Sequence, residues 1–437
     1  MTAVTERRHS VPGGLLRQPN FRLLWIGETV STAGNAMAAV GVPLLAVTVL
    51  HASTFAVSAL TAAAYVPWLV IGLPAGAWVD RLPARPLMIT CDVISALLYA
   101  SLPIAAWTGT LSIGLVVAVA LLAGAVNVLF ATAYQVYLPS LVSPGELVEG
   151  NAKLQGGASV ASVAGRGAVG LAQAVGAAPS LLFNAASFLV SAACLLRIRP
   201  PEPTVPAPAP RDRAGVRAEV WRAGVRAEVG RGIRFVSRDP YLRPLTLFAA
   251  LANLAYSGNL ALVVIFLVRV VGLGSVALGL VTATSGIGGL TGALVAGRLA
   301  RAFGTARTLI LVEMGGGLCS LLIPLTARGP RIACYLIGAA VVSGAITAGG
   351  VIAASFRQEY CPAPMLGRVT ASMRLVTFGA IPLGALLAGA LGTALGIRTG
   401  LWVDLALYAS SGSLLLTRSI RTAKDLPRRP GSLMNSG

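Results

Sequence analysis

The ten residues from Gly76 to Arg85, GAWVDRLPAR, form a charged stretch between two long apolar runs of the chain. A second charged stretch, GRLARAFGTAR from Gly297 to Arg307, also begins with a glycine and also lies between two apolar runs. The first glycines of the two stretches are 221 residues apart, about half of the 437-residue chain. A charged hairpin repeated at half-chain spacing predicts a duplicated bundle of membrane-spanning helices with two related gates.

The composition indicates a membrane protein. Hydrophobic residues make up 56% of the chain, charged residues make up only 11%, and the mean hydropathy is +0.79. Soluble domains carry about 25% charged residues. Because a soluble chain of this length could not bury so much apolar surface, the surplus must face lipid.

The net charge of +19 would indicate a nucleic-acid partner in a soluble protein. Here the arginines concentrate in alternate loops between the apolar runs, which is typical of cytoplasmic loops. We therefore expect no nucleic-acid partner. We expect both termini to lie in the cytoplasm of a multi-pass protein of the plasma membrane, with an even number of spans.

The five cysteines are scattered, and neither they nor the two histidines form a metal-binding motif. The sequence also contains no phosphate-binding loop of the GxxxxGK[ST] type and no GxSxG or HExxH motif. We therefore expect no metal, no cofactor, no catalytic residue and no enzymatic activity.

Twelve apolar runs approach the length of about 20 residues that a spanning helix needs. They lie near residues 22–49, 55–79, 86–107, 112–137, 151–175, 178–197, 243–271, 275–297, 306–326, 331–355, 366–391 and 398–418. Since each half has six spans, both halves have the same orientation and are parallel repeats. The predicted fold class is an all-α membrane protein with 12 transmembrane helices in two pseudo-symmetric six-helix halves.

The chain therefore divides into five predicted parts. They are a cytoplasmic N-terminus (1–21), an N-terminal six-helix bundle (22–197), a basic, proline-rich cytoplasmic linker (198–242), a C-terminal six-helix bundle (243–418) and a cytoplasmic tail (419–437). Within the linker, RAGVRAEV at 213–220 recurs at 222–229. Two interpretations of this repeat stay open, a short amphipathic helix on the inner leaflet or a loosely ordered basic linker.

The twelve spans, the basic linker and the motif G-x-x-x-D-R-x-x-x-R after the second span resemble the major facilitator superfamily. The stretches RQEYCP (357–362), LGRV (366–369) and AIPLG (380–384), and GIRF (232–235) with DPYL (239–242), look like one subgroup. That subgroup contains proton-driven exporters of macrolides and siderophores. The resemblance implies the superfamily's fold, with a central cavity between the two halves.

Three departures from the family pattern weaken the case for proton antiport. Asn35 follows Gly34 where drug-exporting relatives often carry an acid, and Arg166 replaces a proline in the fifth-helix motif, which here is GRGAVG (165–170). The fourth helix lacks the family's arginine and offers Asn127 and Gln135 instead. Proton antiport is therefore not carried over intact.

The charged hairpins are interpreted as gates. We interpret Asp80 as a latch that meets helix-end dipoles or a basic partner from the other half, the alternative being a simple orienting anchor. Arg301 stands at the equivalent position of the second hairpin, so the Asp80 gate should dominate. Asp92 and Glu313 are equivalent in the repeat and are expected to pair with hairpin arginines, with proton carriage as the alternative. The predicted gating residues are Gly76, Asp80, Arg81, Arg85, Asp92, Gly297, Arg301, Arg307 and Glu313.

Glu28 is the candidate proton-binding group, because it lies in the first helix and has no acidic counterpart in the second half. The alternative is a helix-entry carboxylate bonded to Arg22 or Thr29. Arg166 could hold an anionic substrate group or pair with Glu28; a structural or snorkelling arginine is the alternative. Other polar residues of the spans could contact the substrate, or could instead form hydrogen bonds between helices. They are Asn35, Asn127, Tyr134, Gln135, Asn253, Tyr256 and Asn259.

We therefore expect a secondary active transporter that exports a small drug-like or natural-product molecule by alternating access, driven by protons. Its partners would be the small-molecule substrate, protons and membrane lipid, and we expect a monomer. Two alternatives stay open. One is an uptake permease or facilitator, and the other is a transporter-like membrane sensor or scaffold that acts through the basic linker.

Overall fold

A computed structural model describes residues 14–79, 82–142, 146–174, 177–199, 230 and 232–427. Every regular element in these ranges is a helix. In the first half they are α1 (Pro19–Thr48), α2 (Thr54–Val70), α3 (Gly72–Val79), α4 (Ala84–Trp107), α5 (Ile113–Leu141), α6 (Leu147–Ala174) and α7 (Ala177–Arg197). In the second half they are α8 (Leu242–Ile265), α9 (Ser275–Phe303), α10 (Thr305–Ser320), α11 (Ile332–Tyr360), α12 (Ala363–Ala394) and α13 (Ile397–Ser411).

The helices follow the predicted apolar runs, with α2 and α3 together forming the second span. By length and composition, eight helical stretches of the described residues are able to cross a membrane, and Thr54–Val70 and Leu181–Arg197 are shorter apolar helices. The fold class is therefore confirmed as an all-α membrane protein of two six-helix halves. The repeat within the linker, 213–229, lies outside the described residues.

Local sequence explains where the helices start and break. Ser53 and Ser112 begin α2 and α5, and their hydroxyl oxygens accept hydrogen bonds from the backbone N–H groups of the first helical turns. The second span breaks after Val70. Pro74 lacks the N–H that would bond to the carbonyl of Val70, and its ring would clash with that carbonyl. This break separates α3 from α2.

The same packing pattern occurs in both halves. In the first half α1 packs against α6 and α7, α4 packs against α7, and α2 packs against α5. In the second half α8 packs against α12 and α13, α10 against α13, and α9 against α11. These are the equivalent pairs of a duplicated bundle. Between the halves, α6 packs against α9 and α2 packs against α12.

The buried cores show at which end the two halves are joined. We call the membrane face at which α1 begins the N-side. Away from the N-side, one core cluster contains residues of both halves, among them Leu44, Val57, Leu262 and Leu278. Near the N-side, the two core clusters are separate, one confined to the first half and one to the second. The described helices are thus joined at the far side and separated at the N-side.

Candidate functional site

Two buried carboxyl groups lie close together in the first half. Glu28 on α1 is within electrostatic reach of Asp92 on α4 and of Tyr134 on α5. Asp92 is only 1% exposed and lies near the hydroxyl of Ser191 on α7. Among the described residues, neither Oδ2 of Asp92 nor Oε1 of Glu28 has a hydrogen-bond partner. We call Glu28, Asp92 and Tyr134 the acidic cluster. Sequence reasoning named all three residues but did not predict that they meet.

Close helix packing assembles the acidic cluster. Gly27 on α1 faces Ser191, and a Cβ atom at Gly34 would collide with the side chains of Ser187 and Asn184 on α7. Because these glycines carry no side chain, α1 approaches α7 closely. Asp92 packs into the same region because α4 also packs against α7.

The described part of the chain contains no arginine or lysine paired with this cluster. One ion pair of the described residues, Glu149–Lys153, lies away from the cluster at the start of α6, with an N–O distance of 2.7 Å. Arg22 is exposed, and neither Arg22 nor Thr29 bonds to the carboxyl of Glu28, so the helix-entry alternative is not formed in these residues. An ionised carboxylate is costly to bury without a partner.

The first hairpin is only partly described. Gly76 lies in α3, whereas Asp80 and Arg81 fall outside the described residues, so their latch stays a prediction. Arg85 does not reach across to the second half. Its guanidinium donates to the backbone carbonyls of Leu195 and Leu196 at the end of α7, at 2.8 Å each. A cation at a helix C-terminus is favourable, so Arg85 fastens α4 to α7 within its own half.

The second hairpin is held by a different set of bonds. The backbone N–H of Thr305 donates to Asp425 Oδ1 at 2.8 Å, and the N–H of Leu426 donates to the Thr305 hydroxyl at 2.8 Å. Arg301 and Arg307 are exposed, and Gly297 faces open space.

The predicted pairing of buried acids with hairpin arginines is not formed in the described residues. Glu313 is 6% exposed, whereas Arg301 and Arg307 are exposed at the hairpin. Asp92 lies near Ser191 and is not bonded to Arg85, whose guanidinium donates to carbonyls of α7. The physical reason is depth, because both acids lie about two turns inside the helices that follow the hairpins.

A cavity of about 310 Å³ lies inside the second half, between α8, α10, α11, α12 and α13. Its polar lining includes the predicted residues Asn253, Tyr256 and Glu313. Asn253 Nδ2 donates to the backbone carbonyl of Thr377 at 3.2 Å, and the ring of Tyr256 packs against that of Tyr408 at 5.6 Å between centroids. We call this space the C-half cavity.

Glu313 forms part of the wall of the C-half cavity. Its carboxyl lies so close to Gly349 on α11 that a Cβ atom there would collide with Oε1. Gly350, the next residue along α11, also lines the cavity, yet a Cβ atom there would meet nothing within 4 Å. The position of Glu313 therefore depends on a glycine at 349.

Arg166 bridges the two halves. Its guanidinium donates to the hydroxyl of Ser285 on α9, and it lies within electrostatic reach of Tyr65 and Tyr256. The predicted pairing of Arg166 with Glu28 is not formed in the described residues, because Arg166 extends toward the opposite half. A role in holding an anionic substrate group stays a prediction.

None of the remaining substrate candidates lines the C-half cavity. Asn35 is partly exposed, and Asn127 and Gln135 are exposed on α5. Asn259 is buried, and its Oδ1 has no partner among the described residues. Their roles stay predictions.

Sequence reasoning missed two arginines that line the C-half cavity, Arg357 on α11 and Arg374 on α12. Arg357 was assigned to a loop, and Arg374 was not singled out. The signal was present, because Arg374 lies within the predicted span 366–391 and a charged residue inside a span normally faces a cavity or the bundle interior.

Two matched six-helix bundles with polar groups inside and between them define a multi-pass membrane protein of the duplicated-bundle class. The sequence profile of the Major Facilitator Superfamily matches residues 24–381, and the chain belongs to this superfamily of transporters. The uncharacterized MFS-type transporter y4rN of Sinorhizobium fredii (strain NBRC 101917 / NGR234) is 28% identical over 339 residues, which cover 76% of this chain and 78% of that protein.

Solved structures share the fold. A mutant form of the nucleoside transporter NupG matches with a TM-score of 0.72 and 10% identity, covering 91% of this chain and 99% of that one. A bacterial homolog of the human lysosomal transporter Spinster, in its inward-facing and occupied conformation, matches with a TM-score of 0.69 and 13% identity over 92% and 97% of the two chains. At these identities the likeness concerns the fold alone.

Proposed function

We propose that this chain is a secondary active exporter that moves a small, partly apolar molecule out of the cell in exchange for protons. In this proposal the protein is a monomer of the plasma membrane, and the N-side, with both termini, is cytoplasmic. The resemblance of residues 357–369 and 380–384 to the macrolide and siderophore exporters supports the direction of transport. Membership of the superfamily supports a small-molecule substrate.

One observation carries the mechanism: the halves share a core at the far side and have separate cores at the N-side. Rocking the two bundles about their shared core would close the N-side and open the far side, which is alternating access. Small residues at the contact between the halves favour such sliding. One example is Gly286 on α9, which lies against Val163 of α6.

The acidic cluster supplies the proton-binding group. Two carboxyls within electrostatic reach of each other repel when both are ionised, so a proton bound by either one relieves the repulsion. Glu28 lies on α1, and among the described residues its Oε1 makes no hydrogen bond. Proton binding there would shift the balance between the two conformations by changing a buried charge.

Everted membrane vesicles provide the test. With an acidic lumen, we expect vesicles that contain the protein to accumulate at least one of three labelled probes, namely 3-phenylpropionate, 3-phenylpropionamide and ethidium. Glu28→Gln should reduce this accumulation to the level of vesicles without the protein, because glutamine cannot carry the proton. The control is Glu149→Gln, which removes an exposed, ion-paired carboxylate and should leave transport unchanged.

Two results would contradict the proposal. Entry of a probe into the vesicles at the same rate with and without the pH gradient would favour the uptake permease or facilitator. Asn35 and Arg166, at positions where antiporters carry other residues, already support that alternative. No accumulation of any probe, together with loss of function on deletion of residues 211–231, would favour the sensor or scaffold.

A further inference from the structure

We propose that the C-half cavity binds a small amphipathic organic anion, with its carboxylate or phosphate group held between Arg357 and Arg374. This inference rests on the proposed transport function and assigns the class of substrate. The proposed binding site lies inside the second half, whereas the resemblance to the superfamily implies a cavity between the two halves.

The position of Arg374 is the first observation. It is the twelfth residue of α12, about 16 Å along the helix from Ala363. A guanidinium at that depth of a membrane-spanning helix needs water or a polar partner. Its side chain is exposed, and it lines the C-half cavity.

The lack of a counter-charge is the second observation. Within the described residues, neither guanidinium donates a hydrogen bond or forms an ion pair. Arg357 is half-buried, and it lies close enough to Arg374 for their charges to repel. Glu313, the acid in the same cavity, is ion-paired with neither of them. Two neighbouring guanidinium groups left unpaired in this way form a site that an anion would neutralise, with charge-assisted hydrogen bonds from both.

The rest of the lining fits an apolar body. Most of the cavity wall is aliphatic or aromatic, contributed on three helices by Leu245, Phe248, Ile346 and Met373. Small-molecule pockets occupy about 300–1,000 Å³. The C-half cavity, at about 310 Å³, therefore suits a ligand the size of one aromatic ring with a short chain.

Binding to the purified full-length protein in neutral detergent tests the proposal without requiring transport. The probe is radiolabelled 3-phenylpropionate, and 3-phenylpropionamide is its uncharged counterpart of nearly the same shape. We expect the anion to bind saturably and the amide to bind about tenfold more weakly or not at all, since the amide forms no charge-assisted hydrogen bonds.

Variants locate the site. Arg357→Gln and Arg374→Gln should each weaken binding of the anion by about tenfold. Arg357→Lys and Arg374→Lys should retain part of it, because lysine keeps the charge but not the planar fork. The control is Arg298→Gln, which removes an exposed arginine near the N-side end of α9, outside the cavity. Unfolding midpoints measured without the probe identify any variant that fails to fold. If a glutamine variant fails to fold, binding of the anion to the corresponding lysine variant tests the role of that arginine.

Three results of the binding measurements in detergent would overturn the proposal. They are equal binding of acid and amide, unchanged binding in both glutamine variants, and equal loss in Arg298→Gln.

Nanodiscs distinguish the source of the anion. If phosphatidylglycerol displaces the probe and phosphatidylcholine does not, the cavity is a lipid headgroup site and the substrate assignment is wrong. Binding without transport in the vesicle assay would overturn the transport function alone, whereas transport of a neutral or cationic probe without binding of the anion would overturn this inference alone.

Discussion

The interiors of the two halves contain different sets of charged groups: both contain buried acids, and the C-half cavity also contains two arginines. In the first half, Glu28 and Asp92 lie within electrostatic reach of each other, and no cation of the described residues pairs with them. In the second half, the repeat counterpart of Asp92 is Glu313, which stands against Gly349 in a cavity that also contains two arginines. Duplication has kept the helix framework while the interiors have diverged. In our two proposals, the first half binds the proton and the second half binds an organic anion.

The two hairpins differ in the same way. The first is fastened by a side chain, because Arg85 donates to the last carbonyls of α7. The second is fastened mainly by backbone N–H groups to the segment after α13, with Asp425 and the carbonyl of Lys424 as acceptors. Equivalent places in the repeat are therefore held by non-equivalent bonds.

The largest expected difference concerns the latch. We predict that Asp80→Asn slows transport about tenfold, since a gate interaction of ordinary strength sets the balance between conformations by that factor. Arg301→Ala, at the equivalent position of the second hairpin, should slow transport less than twofold because Arg301 is exposed. Initial rates in the vesicle assay compare the two variants at matched protein levels. Equal rates would show that the hairpins work as equivalent gates.

The sequence predicted the helices well because the signal is local. An apolar run of sufficient length spans a bilayer wherever it occurs, and the charged hairpins separate one run from the next. The spacing between Gly76 and Gly297, about half of the chain, then predicted that the bundle is duplicated. Even the break in the second span has a local cause, the proline at position 74.

The contents of the interiors were less predictable because they depend on helix rotation and approach. Glu28 and Asp92 are 64 residues apart in sequence, and they meet because Gly27 and Gly34 let α1 approach α7. A period of 3.6 residues does not show which face of an apolar helix meets a neighbour when nearly every position is apolar. For the same reason, Arg374 gave no indication that it shares a cavity with Arg357.

A smaller difference is expected from two adjacent glycines of the C-half cavity. Gly349→Ala should lower the stability by about 1–3 kcal/mol, because the added methyl group collides with the carboxyl of Glu313. Gly350→Ala should be neutral or should stabilise by up to about 1 kcal/mol, since its Cβ atom meets nothing within 4 Å and alanine favours the helix. Unfolding midpoints in detergent measure both. A destabilised Gly350→Ala variant would mean that the wall beside Glu313 is packed differently.

The smallest difference is expected at the ends of the hairpins. Arg85→Ala should destabilise the protein by about 1–2 kcal/mol, because the variant loses two hydrogen bonds to the end of α7 together with a favourable charge at a helix C-terminus. Arg307→Ala, near the equivalent place, should change the stability by less than about 0.5 kcal/mol, since its side chain is exposed. Unfolding midpoints again measure both, and Arg85→Lys separates charge from geometry, because lysine cannot donate to two carbonyls through a planar fork. If Arg85→Ala is as stable as the unmodified protein, α7 is held without it, and the contrast between a side-chain and a backbone attachment of the hairpins loses its energetic basis.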